Sequence, residues 1–189
     1  MNIKQMSLAV LLTAGMWVGC EAGLDPSGQP AITSGDVEAI QPGNAVGALY
    51  SGTWVLNTNV TATNCLALGV GFEGFPPKVG DTDEESVVLI QNGGELTRGV
   101  DDLGGVYTFR GSVNSDGSYT YGTVITVSEG PPAIERIELA TGRFELAEGS
   151  LQASVVGSTI KRRYLGGIVD CSADLQVTSG TRTLAGETE

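Results

Sequence analysis

The chain has 189 residues, with 22 Asp and Glu against 10 Lys and Arg and no histidine, for a formal net charge of −12 at pH 7. That much negative charge repels phosphate backbones, which excludes nucleic-acid binding, and anionic lipid headgroups alike. Without histidine, the usual general base, nucleophile activator and metal ligand are all missing.

Residues 1–19 have the layout of an export signal. A start carrying only Lys4 leads into an apolar stretch from Met6 to Val18, interrupted by Ser7, Thr13 and Gly15, and the small Gly19 stands directly before Cys20. Such a segment is too short to remain as a membrane-spanning helix. With a cysteine at the cleavage point it resembles a bacterial lipoprotein signal peptide; ordinary secretory cleavage nearby is the alternative. The resemblance implies that residues 1–19 are removed and that Cys20 is acylated, with palmitate among the lipids. It also implies that the chain is held in the cell envelope by this lipid anchor. Glu21 takes the place of the Asp that retains well-studied enteric lipoproteins in the inner membrane, so the resemblance points to the outer membrane. Removing the signal loses only Lys4 and leaves 9 basic against 22 acidic residues, a net charge of −13.

Residues 20–47 are rich in Gly, Pro and Ser, carry Asp25, Asp36 and Glu38, and contain no Lys or Arg. Nothing there repeats with a helix or strand period, which predicts a disordered acidic tether after the lipidated cysteine. As a flexible coil it would span roughly 30 Å. Docking as an edge strand is the alternative.

Residues 48–189 are a normal length for one domain with one core. Trp54, Leu56, Thr58 and Val60 alternate with Val55, Asn57 and Asn59, and Tyr119, Tyr121, Thr123, Ile125 and Val127 alternate as cleanly. Residues 87–90, 96–100, 106–113, 134–146, 151–156, 160–165 and 173–181 complete about nine short strands with the same β-branched and aromatic bias. Asn92-Gly93 and Asp116-Gly117 supply hairpin turns, and Ala147-Glu148-Gly149 and Gly157-Ser158 read as further turns. Consecutive hairpins predict an all-β, antiparallel up-and-down barrel of about 8–10 strands, which closes on itself and so leaves no raw edge. A β-sandwich is the alternative.

One connection is long. Residues 66–85 contain four glycines, Pro76 and Pro77, then the acidic run Asp81, Asp83, Glu84 and Glu85. A loop of this length in a compact domain is functional or disordered. Phe72 and Phe75 within it are read as a lid over the barrel mouth, or as side chains packed on the outside of the sheet.

With Cys20 committed to lipid, Cys65 and Cys171 are the cysteines that remain, and an exported domain favours their pairing. Cys65 lies 11 residues after Trp54 and Cys171 lies 11 before Arg182. In an antiparallel pair of first and last strands, equal offsets place both couples along one seam. The inward parity of Trp54, Leu56 and Val60 conflicts with that of Ala173, Leu175 and Val177, which predicts a bulge near Asn64.

Gly52-Thr53-Trp54 at the start of the first strand resembles the Gly-x-Trp signature of lipocalins and their calycin relatives. In that family an Arg near the end of the last strand packs over the Trp and closes one end of the barrel, and Arg182 is similarly placed. The resemblance implies a lipocalin-like small barrel with a long first loop over its open end, matching residues 66–85.

No catalytic constellation is found. No catalytic role is read for Lys78 or Lys161, and Asp101-Asp102 and the 81–85 run lack the spacing of a calcium loop. Both acidic clusters read as solvated loops, and Lys161-Arg162-Arg163 as a solvent-facing strand or turn. The reading is a non-enzymatic, membrane-anchored binding module for a small apolar or amphipathic ligand, with no metal or cofactor. A structural or protein-interaction lipoprotein with a filled barrel is the alternative, and a carboxylate-based enzyme stands third.

Overall fold

A computed structural model describes residues 23–66, 75–99, 108–128, 133–147 and 152–183. Residues 1–22, with Cys20 among them, Phe72 and Asp101-Asp102 lie outside the described residues. Eight strands follow one another: β1 Gly52–Thr63, β2 Thr82–Asn92, β3 Glu95–Arg98, β4 Thr108–Val113, β5 Ser118–Ser128, β6 Ile134–Leu146, β7 Ala153–Gly166 and β8 Val169–Thr183. Each pairs antiparallel with the next, and β1 also pairs with β8, so the sheet closes into one ring. The up-and-down barrel expected from the hairpin spacing is therefore the architecture, and the sandwich alternative is not.

Eight strands stand where about nine short ones were expected, because residues 157–158 make no turn. Gly157, at φ +60°, bulges within a continuous β7, and the register against β6 slips between Thr141 and Arg143. A glycine in the left-handed region inserts one extra residue at low cost, so the strand bends without ending. The acidic residues Asp83, Glu84 and Glu85 likewise belong to β2 and not to the long connection.

The closing seam carries two bulges of opposite sense. Trp54 stands opposite Arg182, Val60 opposite Leu175, and Thr63 opposite Ala173, with shifts between Asn57 and Thr58 and between Val60 and Ala62. Thr178 is the extra residue on β8 and Thr61 the extra residue on β1. Each hydroxyl donates across the seam, Thr178 Oγ1 to the Asn57 carbonyl at 3.2 Å and Thr61 Oγ1 to the Asp174 carbonyl at 3.0 Å. The bulge expected near Asn64 lies instead at Thr61, and a second at Thr178 restores the original offset. The two parity flips let Val60, Leu175 and Val177 share the interior while the cysteines still meet. Cys65 and Cys171 form a disulfide with α-carbons 4.9 Å apart.

The end of the barrel at Trp54 is filled. Phe144 stacks on Tyr119 at 4.3 Å and Tyr50 at 4.9 Å, and meets Trp54 at 4.7 Å between ring centroids. Leu56, Leu89, Leu96 and Tyr121 pack into the same cluster.

Residues 23–47 are not a free tether. Asp25 is buried, accepts from the backbone N–H groups of Ser27 at 2.9 Å and Gln29 at 3.0 Å, and receives the Lys161 ammonium at 2.7 Å. Thr33 and Asp36 cap a single helical turn, α1 Ser34–Glu38, reciprocally. That turn sets the fully buried Val37 against the outer face of Gly122 on β5, where a Cβ would lie 2.8 Å from a Val37 methyl. The segment then seals the filled end, with Gly43 N–H bonding the Gly94 carbonyl at 2.8 Å and Ala45 N–H the Val113 carbonyl at 3.1 Å. It docks through turns and single side chains, not as the edge strand held as the alternative. Composition alone suggested a linker because the buried residues have no period.

The disulfide spans 106 residues of chain. Closing so long a loop constrains the unfolded ensemble by about 4–5 kcal/mol in the chain-entropy picture, an upper figure. Cys171→Ser, or reduction, is expected to lower the melting temperature by on the order of 10 °C, read by circular dichroism. An unchanged melting temperature would show that the seam closes without it.

Candidate functional site

Strand alternation sends three acidic and three basic residues into the barrel halfway along its axis. On β2 the inward positions include Asp83 and Glu85, on β3 Arg98, on β6 Arg136 and Glu138, and on β7 Arg162. Glu138 and Arg162 are buried, at 2 % and 6 % exposure. Glu138 Oε1 lies 2.5 Å from Arg136 Nε and 2.9 Å from Arg162 Nε. Glu85 takes Arg98 at 3.4 Å and Arg162 at 3.7 Å, and Asp83 lies 4.0 Å from Arg162. The arginine contacts are close but poorly angled: Nε and Nη2 of Arg162 make no hydrogen bond of good geometry, nor does Nε of Arg136. Charge is balanced across this layer while donor capacity is left over.

The titration of the two glutamates is divided by their surroundings. Burial pushes the Glu85 carboxyl above its ordinary value, and the neighbouring Glu138 pushes it further the same way. Burial is also the largest influence on Glu138, but Arg162, Arg136 and Arg98 together outweigh it and hold that carboxyl below the ordinary range. Glu138 is thus the fixed anion and Glu85 the group that takes up a proton. Desolvation alone would lower the Arg162 pKa, but Glu138 and Glu85 more than offset it. Beneath the layer, burial pushes the Tyr119 phenol up to about 12, against the pull of its 2.6 Å hydrogen bond with Ser158.

Above the layer the barrel is hollow. A cavity of about 1000 Å³ opens at the end opposite Trp54. Val60, Ile125, Val127 and Leu175 give it apolar walls, Arg136 and Arg162 form its floor, and the exposed Asp83 stands toward its mouth. Phe75 meets Tyr164 edge-on at 5.3 Å and packs with Ile134, Val169 and Cys171 at the rim. Pro77, two residues further on, also lines the cavity. Phe72, the other half of the expected lid, lies outside the described residues.

The pairing of Trp54 with Arg182 is in register at the closed end. The Arg182 guanidinium donates to the carbonyls of Leu49 and Ser51, and the Trp54 indole N–H donates to the Tyr50 carbonyl at 3.0 Å. Gly52 lies at φ +145°, and a Cβ there would come within 3.0 Å of the Arg182 stem. This accounts for glycine two residues before the tryptophan: the arginine crosses where a side chain would stand.

Sequence reasoning placed the 81–85 run and Lys161-Arg162-Arg163 in solvent; Asp81, Asp83 and Glu84 are exposed as expected, while Glu85 and Arg162 turn into the barrel and correct the reading there. Period 2 splits each cluster between the two faces of the sheet. Lys161 turns outward to Asp25 and Arg163 forks onto Asp170 at 2.8 and 2.9 Å, while Arg162 between them turns in. Arg98, Arg136 and Glu138 went unnoticed. The available signal was on β6, where Ile134, Arg136, Glu138 and Ala140 share one parity, so two charges lie on the same face as two apolar residues.

Compared with known proteins, the chain matches no family model, no curated protein and no solved structure.

The sign of the pH dependence follows from the two glutamates. Glu85, raised in the fold, stabilises when protonated, and that contribution is lost as pH rises through its folded value. Glu138, depressed in the fold, stabilises when ionised, and that contribution is lost as pH falls below the ordinary value of 4.5. Urea unfolding is expected to show stability rising as pH drops through the raised Glu85 value, then falling below about 4.5. Glu85→Gln should remove the rise and leave the fall. A Glu85→Gln protein with the wild-type profile would contradict this division of roles.

Proposed function

We propose that the barrel is a non-enzymatic binding module for a small amphipathic molecule, displayed by a lipid-anchored protein of the bacterial cell envelope. The observation that carries the reading is the cavity itself: apolar walls over a floor of the buried Arg162 and the half-buried Arg136, whose N–H groups are not all used. Apolar walls would hold a hydrocarbon or ring portion through the area it loses to water, at about 25 cal/mol per Å². Polar atoms at the other end of the molecule would meet Arg136 and Arg162, where donors sheltered from solvent hydrogen-bond strongly to an oxygen anion. A wholly apolar ligand suits this site less well, because it would leave those donors dry and unpaired.

The anchor half of the reading rests on Cys20 and its lipoprotein-like setting, and the lipocalin-like half on Gly52, Trp54 and Arg182 at the closed end. A filled barrel serving protein interaction is the second reading, favoured by the aromatic packing around Phe144 that closes half of the interior.

Native mass spectrometry of the protein purified from its own host weighs a retained molecule directly. The binding reading expects an adduct of a few hundred daltons, on the order of what 1000 Å³ admits. Phe72→Ser with Phe75→Ser is expected to reduce the bound fraction several-fold without unfolding the domain, and Arg136→Leu to weaken retention by tenfold or more. Protein that arrives empty but with an envelope protein attached would favour the interaction reading instead.

A further inference from the structure

The docked leader sets which end of the barrel meets the membrane. Residue 23 is held at the cavity end, not the filled end. The Leu24 carbonyl accepts from Asn64 Nδ2 at 2.9 Å, one residue before the disulfide, and Asn64 in turn accepts from Ser172 N–H at 2.7 Å. Gly23 lies beside Arg163, whose guanidinium forks onto Asp170 next to the β7–β8 turn. From there the leader runs down the outside of the barrel to the filled end, where Gly43 meets the β2–β3 turn. Gly23 lies three residue steps beyond Cys20, which can span at most about 11 Å. A lipid on Cys20 would therefore sit close to the cavity rim, and the roughly 30 Å reach of a free tether is lost.

The same end presents exposed apolar side chains on two connections, β1–β2 and β7–β8. Leu66 follows β1 and is 55 % exposed, Val79 lies on the β1–β2 connection at 65 %, and Ile168 tips the β7–β8 turn at 73 %. Apolar tips clustered around a cavity mouth are poor neighbours for water and suit a hydrocarbon boundary. Asp81 and Asp83 stand near the same mouth, so attraction to anionic headgroups does not drive the contact.

We propose that the cavity mouth faces the bilayer, with Leu66, Val79 and Ile168 seated in its interface, and that the cavity exchanges its ligand with the membrane. The ligand is then an amphiphile that partitions into bilayers. This inference rests on acylation of Cys20, and its ligand clause rests on the binding reading above; the orientation itself needs no ligand.

The test uses the full acylated protein in zwitterionic phosphatidylcholine vesicles containing brominated lipid, a short-range quencher of tryptophan. Ile168→Trp places a reporter on the rim and Val46→Trp one at the filled end, where residue 46 is 81 % exposed. Trp54, fully buried at the filled end, is the shared background. Emission added by Ile168→Trp is expected to fall at least twofold in brominated bilayers, and that added by Val46→Trp to stay unchanged. Leu66→Ser with Val79→Ser in the Ile168→Trp background should restore much of the emission. Equal quenching at both ends, quenching at residue 46 alone, or none at either overturns the orientation. Intact mass without an acyl group on Cys20 overturns it as well. Neither reporter lines the cavity, so an empty cavity with a quenched rim reporter overturns the binding reading and leaves the orientation standing.

Discussion

Closure of the sheet between β1 and β8 is the constraint on which the other features depend. A strand alternates strictly, so a continuous register would oblige either the Trp54 end or the cysteine end to turn its side chains outward. Two bulges, one on each strand, resolve this. Between them β1 and β8 run one residue out of step, and Val60, Leu175 and Val177 face in together; beyond them the offset returns and Cys65 meets Cys171. Threonine suits both bulge positions, since its hydroxyl donates to the carbonyl opposite and partly replaces the ladder bond that the extra residue disrupts.

A closed ring of eight strands has an interior that must be filled or left hollow, and this one does both. Aromatic rings fill the end sealed by residues 43–51. Arginines and glutamates then form a charged floor, and the remaining length is cavity. Burying an ion pair costs desolvation on both partners, and replacing such a pair by well-packed apolar residues is often neutral or stabilising. The layer is thus an expensive way to fill a core, and its value lies in what it offers upward: N–H donors in a sheltered place. Division of the protonation between Glu138 and Glu85 follows from the same crowding, because two carboxylates competing for one set of arginines do not ionise equally.

Much of the fold was legible because period 2 is a strong signal. The alternation through Trp54–Val60 and Tyr119–Val127 placed β1 and β5, and Asn92-Gly93 and Asp116-Gly117 marked the β2–β3 and β4–β5 hairpins. The equal offsets of Trp54 to Cys65 and Cys171 to Arg182 located the seam. Gly157 was misread because a glycine that permits φ > 0 serves a turn and a bulge equally well. The charged floor was hidden because its members come from four strands, and no single segment shows more than two of them. Asp25 and Val37 were hidden for a different reason: each is buried by one local device, an Asx-type turn or a capped helical turn, inside a stretch whose composition is that of a linker.

The seam can be read directly by nuclear magnetic resonance of the oxidised domain. Cross-strand nuclear Overhauser contacts between backbone protons report which residues stand opposite one another. The account predicts contacts of Trp54 with Arg182, of Val60 with Leu175, and of Thr63 with Ala173. Contacts of Val60 with Gln176, as an unbroken register from Trp54 would require, or the absence of any contact between β1 and β8, would contradict it.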